Sequence, residues 1–100
     1  MPDLVSTLTR VDVIVPVYDE EQAVLAFHKQ LCQVLDTLSF VFTIYYIDDG
    51  STDHTVQHLQ DIARQDPRVQ VVELSRNFGH QAALTAGLDL AVGDLVITMD

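Results

Sequence analysis

Four short apolar runs punctuate this chain, and the spacing of apolar positions changes between them. Val11 to Val17 (VDVIVPV) is β-branched and nearly continuous, as in a strand buried on both faces. Asp19 then fits a helix N-cap, with Gln22 at the third helical position to complete a capping box. Val24, Phe27, Leu31, Val34, Leu35 and Leu38 follow at helical spacing as one apolar stripe. Phe40 to Ile47, rich in aromatic and β-branched residues, predicts a second strand. Val56, Leu59, Ile62 and Ala63 mark a second amphipathic helix, ended by Pro67. Val69 to Leu74 predicts the third strand and His80 to Val92 the third helix, whose Ala82, Ala83, Ala86 and Gly87 give a small-residue face. Gly93 punctuates its end, and Leu95 to Met99 predicts a fourth strand.

The order β-α-β-α-β-α-β predicts an α/β, Rossmann-like fold with a mostly parallel sheet and right-handed crossovers. Ligands of such sheets bind beyond the carboxyl ends of the strands. The unusual residues fall there: Pro16 to Glu21, Asp48 to Asp53, Ser75 to His80, and Asp100. That placement is the main physical argument for a site.

Composition narrows the class. With 48% hydrophobic and 20% charged residues the chain is globular, and its 100 residues suffice for one small domain. Fifteen Asp and Glu against five Lys and Arg give a formal charge of −10, which repels nucleic-acid backbones, so no nucleic-acid partner is expected. Acids gathered around a divalent cation attract phosphates instead. Cys32 is the single cysteine, so no internal disulfide forms and a reducing, cytoplasmic setting fits. MPDLVSTLTR lacks the features of a signal peptide, and the apolar segment Leu38 to Ile47 is about half the length needed to span a bilayer. The chain stops at VITMD, directly after a strand, where natural domains rarely end; a piece of a longer protein is expected.

The loops carry the candidate chemistry. Pro16 stiffens the exit of the first strand, and Tyr18 offers a flat face suited to a ring. Glu20 and Glu21 fall in the first helical turn, where the macrodipole favours acids. No G-x-G-x-x-G is present, which disfavours a dinucleotide cofactor. In DDGSTD, Gly50 permits a left-handed turn, and Ser51, Thr52 or Asp53 can cap the next helix. Asp48 and Asp49 are acceptor-only groups suited to ring N–H donors or ribose hydroxyls; the plainer role is to cap turn amides. Arg76 with helix-start amides makes a phosphate seat, or simply a surface ion pair. Gly79 is expected to open the third helix. His54 and His58 lack the H-E-x-x-H pattern and read as a solvated helix face, and Cys32 as a small helix residue near the core.

Four motifs in order, VIVPVYDEE, YYIDDGSTD, LSRNFGHQAALTAGLDLAVGD and LVITMD, resemble the N-terminal, nucleotide-binding half of a family-two glycosyltransferase domain of the GT-A fold. The third is similar to bacterial polyprenyl-phosphate glycosyltransferases, relatives of dolichol-phosphate mannosyltransferase. On that basis residues 1–10 are an N-terminal tail and 11–100 the nucleotide-sugar-binding portion. The resemblance implies a UDP- or GDP-linked sugar donor, Mg2+ or Mn2+, and a lipid-phosphate acceptor at the cytoplasmic face of a membrane, bound through regions not in this chain. It places Pro16, Tyr18 and Glu20 around the base, Asp48 on the base, and Asp49 on the turn or ribose. Gly50, Ser51, Arg76, Asn77 and Gly79 complete the nucleotide-sugar contacts, and Asp100 matches the first acid of the D-x-D metal motif. No catalytic side chain is assigned, a homo-oligomer is compatible, and the 100 residues alone are expected to be inactive. Asp19 stands where the family often has Asn.

Two rivals stand beside this. A phosphoacceptor receiver domain is also small and acidic, but carries its acid pair after the first strand, not the second. A non-catalytic nucleotide-binding or assembly module of α/β type is the other.

Overall fold

The computed structural model describes residues 9–99. Four strands, β1 (Arg10–Val17), β2 (Val41–Asp48), β3 (Val69–Glu73) and β4 (Leu95–Thr98), alternate with three helices. The helices are α1 (Val24–Leu35), α2 (Thr55–Gln65) and α3 (His80–Leu90). All strand pairs are parallel, in the order β3-β2-β1-β4. The chain steps outward from β1 to β3, then returns through α3 to β4 on the other side of β1. The expected N-terminal tail falls mostly outside the described residues, and its last member, Arg10, already belongs to β1.

The central strands are covered on both faces, which is why β1 reads as a continuous apolar run, whereas edge strand β4 is exposed. Val11, Val13, Val15 and Val17 pack with Leu31 and Leu35 of α1 and Leu59 and Ile62 of α2. Ile14 and Ile47 face the opposite way, against Ala83 of α3. Of the small-residue face expected on α3, Ala83 and Gly87 are buried while Ala82 is exposed. A Cβ on Gly87 would lie 2.3 Å from Ile14 Cγ2 and 3.2 Å from Ile47 Cγ1. Alanine there gains about 1 kcal/mol of helix propensity but over-packs fully buried Ile14, which costs about 1–3 kcal/mol. Gly87→Ala is therefore expected to lower the thermal midpoint, and an unchanged or raised midpoint in a calorimetric scan would show that α3 sits off the sheet.

The start of α1 corrects the capping-box expectation. Its N-cap is Ala23, with no side-chain cap, and the N–H groups of Ala23 and Val24 both reach Glu20 O. Asp19 instead takes a left-handed backbone (φ 48°) and accepts the Thr52 N–H at 2.7 Å. A donor fixed on the neighbouring loop outcompetes the local one. Glu21 precedes the helix too, and its carboxylate accepts from the His54 N–H at 3.0 Å and meets His54 Nδ1 at 2.9 Å.

One buried acid went unread in the sequence. Asp12, 3% exposed in β1, accepts the N–H groups of Val92 (2.6 Å) and Gly93 (2.8 Å) and so closes the turn from α3 into β4. Among the described residues no helix is long and apolar enough to cross a membrane.

Candidate functional site

Parallel register sets Val17 beside Asp48, and Asp48 beside Glu73. The backbone continues that line past the strands: Asp49 N–H donates to Val17 O at 2.8 Å, and Leu74 N–H to Asp48 O at 2.9 Å. Three loops therefore leave the sheet from one edge, as the sequence placed them.

The adjacent acids divide the work. Asp49, 3% exposed, accepts the Phe78 N–H (2.8 Å) on one oxygen and the Gly79 N–H (3.0 Å) on the other. Its charge is thus held by two amides at the start of α3, where the helix dipole also favours it. The amides expected to seat a phosphate are occupied by this carboxylate. Asp48, 2% exposed, accepts the Ser51 N–H at 3.2 Å on Oδ2. Its Oδ1 is buried with no hydrogen-bond partner among the described residues. A buried carboxylate oxygen without a donor is costly and rare.

Gly50 and Gly79 make the loop conformations possible, at φ 73° and 101°. Gly50 also lets the third loop approach, because a Cβ there would lie 2.3 Å from both Arg76 C and Asn77 N. Gly79 is the N-cap of α3, as expected. Arg76 makes no ion pair among the described residues; its guanidinium lies 4.7 Å over the Phe78 ring.

The first and second loops are laced together. Asp19 N–H donates to Ser51 Oγ (2.9 Å), Glu20 N–H to Thr55 Oγ1 (2.9 Å) and Glu21 N–H to Asp53 Oδ2 (3.2 Å). In return Thr52 and His54 donate backbone N–H groups to Asp19 and Glu21. Asp53 caps the Thr55 N–H at 2.9 Å, which is the role read for it. Desolvation raises the Asp53 carboxyl pKa, but hydrogen bonds from Thr55 and neighbouring amides outweigh it and leave the group below its ordinary value. His54, bonded to Glu21, lies just before α2, so only His58 is on that helix.

Between the loops lies a cleft of about 190 Å3, lined by Pro16, Val17, Tyr18, Asp49, Asn77, Gly79 and His80. Five sequence-predicted residues, Pro16, Tyr18, Asp49, Asn77 and Gly79, meet there. Val17 and His80 lie within the strand-end stretches but have no individual role there: a valine closing a strand and a histidine opening a helix carry no local signal. Glu20 lines a neighbouring cleft of about 200 Å3 on the α1 side, which shares Pro16 and Val17 with the first. Asp48, Gly50 and Ser51 form the turn behind the cleft wall, and Asp100 lies outside the described residues. β4 runs parallel to β1, and the Met99 N–H donates to Ile14 O at 2.9 Å, so β4 ends on the cleft side of the sheet.

A prophage bactoprenol glucosyl transferase homolog of Escherichia coli (strain K12) is 38% identical over 91 residues, 91% of this chain and 30% of that protein. Among solved structures, S. aureus TarS 1-349 in complex with UDP superposes with a TM-score of 0.73 at 28% identity, over 91% of this chain and 27% of that one. The mannosyltransferase PcManGT from Pyrobaculum calidifontis, in complex with GDP-Man and Mn2+, gives 0.70 at 27% identity, over 91% and 27%. The chain thus spans 27% to 30% of the length of these relatives. The likeness identifies the GT-A fold and takes in every loop of the cleft. The family profile for glycosyl transferase family 2 reaches equally far, from residue 12 to residue 100, and the chain belongs to that family.

Proposed function

We propose that this chain supplies the donor-nucleotide portion of a glycosyltransferase that moves a sugar from a uridine or guanosine diphosphate to a polyprenyl phosphate at the cytoplasmic face of a membrane. The unmatched buried oxygen of Asp48 carries this reading. A uracil or guanine ring N–H is the donor it lacks, and because Asp48 is 2% exposed the base reaches it through a local opening of the loops. Tyr18, 44% exposed at the cleft, offers the ring face for stacking. Asp49 acts by holding the third loop, from which Asn77 lines the cleft and Arg76, next to it, is the cation offered to the diphosphate.

A bound UDP and a bound GDP-Man with Mn2+ in the structural relatives support both the nucleotide and a divalent cation, and the bactoprenol relative supports a lipid acceptor. Such a cation neutralises the charge building on the departing diphosphate. Asp100 is the residue of this chain assigned to hold it, Mg2+ or Mn2+. In the transfer, an acceptor phosphate oxygen bonds to the anomeric carbon as the carbon–diphosphate bond breaks, so no side-chain nucleophile is required.

Calorimetric titration of the protein with UDP and with GDP, each with and without Mn2+, tests the reading. One of the two is expected to bind in the cleft with an affinity that Mn2+ strengthens. No saturable binding of either nucleotide would overturn the assignment of the cleft, and binding indifferent to Mn2+ and Mg2+ would overturn the metal.

A further inference from the structure

A second polar cluster lies at the other end of the fold, where the α2–β3 link crosses α1. His28 and Cys32, one helical turn apart on α1, face Asp66, which directly follows α2. Cys32 is the half-buried helix residue beside the core that its sequence setting implied, and it also has polar company there. His28 Nε2 is 3.2 Å from Asp66 Oδ2 and 3.3 Å from Cys32 Sγ, and Cys32 Sγ is 3.6 Å from Asp66 Oδ2. Zinc bonds of about 2.0 to 2.3 Å in a tetrahedron put neighbouring nitrogen, sulfur and oxygen donors roughly 3.3 to 3.6 Å apart. The three donors already form one face of such a tetrahedron.

From this triangle we propose that His28, Cys32 and Asp66 form a site for Zn2+, separate from the nucleotide cleft and from its divalent cation. The donor set selects the metal: imidazole with thiolate suits Zn2+ and is poor for Mg2+, which demands oxygen. The surrounding groups orient the ligands as outer partners do. His28 Nδ1 meets Tyr46 Oη at 2.7 Å, which leaves Nε2 to the metal when Nδ1 carries the proton. Asp66 Oδ1 accepts from Arg68 N and Nε, both at 3.0 Å, leaving Oδ2 toward the other donors.

Arg68 is the counter-argument, since its Nη2 lies 3.3 Å from Cys32 Sγ and 3.0 Å from Asp66 Oδ2. It reaches two of the three donors but makes no hydrogen bond to His28, so it approaches along the sulfur–oxygen edge. Its other nitrogen, Nη1, bonds Asp36 Oδ1 at 3.0 Å. A dication with the Cys32 thiolate, the two carboxylates and this guanidinium forms a neutral ensemble. The metal–sulfur bond forms as the thiol proton leaves to solvent, and water takes the fourth position.

Titration of the protein with Co2+, then Zn2+, tests the site without any nucleotide. One equivalent of Co2+ is expected to give intense visible bands of tetrahedral geometry and a sulfur-to-cobalt charge-transfer band, both removed by one equivalent of Zn2+. Cys32→Ser should abolish the charge-transfer band, His28→Ala should weaken Zn2+ binding at least ~10-fold, and His58→Ala should change neither. A pale six-coordinate Co2+ spectrum, or Zn2+ bound equally by the parent and Cys32→Ser, would overturn the proposal. The parent spectrum alone decides should a variant fail to fold.

Discussion

Asp48→Asn is expected to weaken nucleotide binding by about 10- to 100-fold, or ~1.5–3 kcal/mol, with little change in the thermal midpoint. The substitution keeps the shape of the side chain and changes its chemistry alone. A carboxylate accepts on both oxygens, whereas an amide presents an NH2 at one of them. If that NH2 replaces Oδ1, it points a donor at the donor of the base. If it replaces Oδ2, it opposes the Ser51 N–H, which the native oxygen accepts at 3.2 Å. Either arrangement loses one hydrogen bond to a charged acceptor once the nucleotide is bound. Asp53→Asn makes the contrast. Asp53 takes the Thr55 N–H and the Glu21 N–H, both within the protein, so its loss should cost about 1 kcal/mol of stability and leave affinity within ~3-fold. Equal, small effects of the two variants on UDP or GDP titrations would mean that Asp48 serves its turn and no base.

What was legible in the sequence is what local pattern determines. The run VDVIVPV could only be a strand buried on both faces, and the parallel order followed from helices of sufficient length between strands. The cleft was legible at the same level, since the fold decides that strand-end loops converge. What was not legible depends on partners distant in sequence. Asp19 and Gln22 satisfy the capping-box pattern, yet Asp19 finds Thr52, 33 residues on, and the helix starts later at Val24. Asp49 was open between ribose and turn because its true partners, the Phe78 and Gly79 amides, lie 29 and 30 residues away. Asp12 offered a signal that can be read, an acid inside a doubly buried strand that must be paired. Its partners, 80 and 81 residues on, could not be. His28, Cys32 and Asp66 likewise meet only once α1 crosses the α2–β3 link.

Gly50→Ala is expected to be the most damaging single-methyl change in the loops, costing about 2–4 kcal/mol and lowering the thermal midpoint by roughly 10 °C or more. Two costs combine. At φ 73° an alanine is strained by about 1–2 kcal/mol, and its Cβ would meet backbone, 2.3 Å from Arg76 C and Asn77 N. Backbone atoms cannot rotate away as a side chain can, so the third loop must shift outward. That loop is anchored through Asp49, and the shift pulls the Phe78 and Gly79 amides off its carboxylate, leaving a buried charge short of donors. Nucleotide binding should therefore fall together with stability, and the amide resonances of Phe78 and Gly79 should move in an NMR spectrum of the variant. Gly79→Ala separates the two costs. It carries at least as much strain, because φ 101° with ψ 159° is a backbone open almost only to glycine, but nothing lies within 4 Å of its added Cβ, so it should lose only the strain, about 1–3 kcal/mol. Any excess loss in Gly50→Ala is therefore a lower bound on the contact of the second loop with the third. A loss in Gly50→Ala no larger than its strain alone, about 1–2 kcal/mol, would show that these loops do not bear on each other, and that Asp49 alone holds the third loop in place.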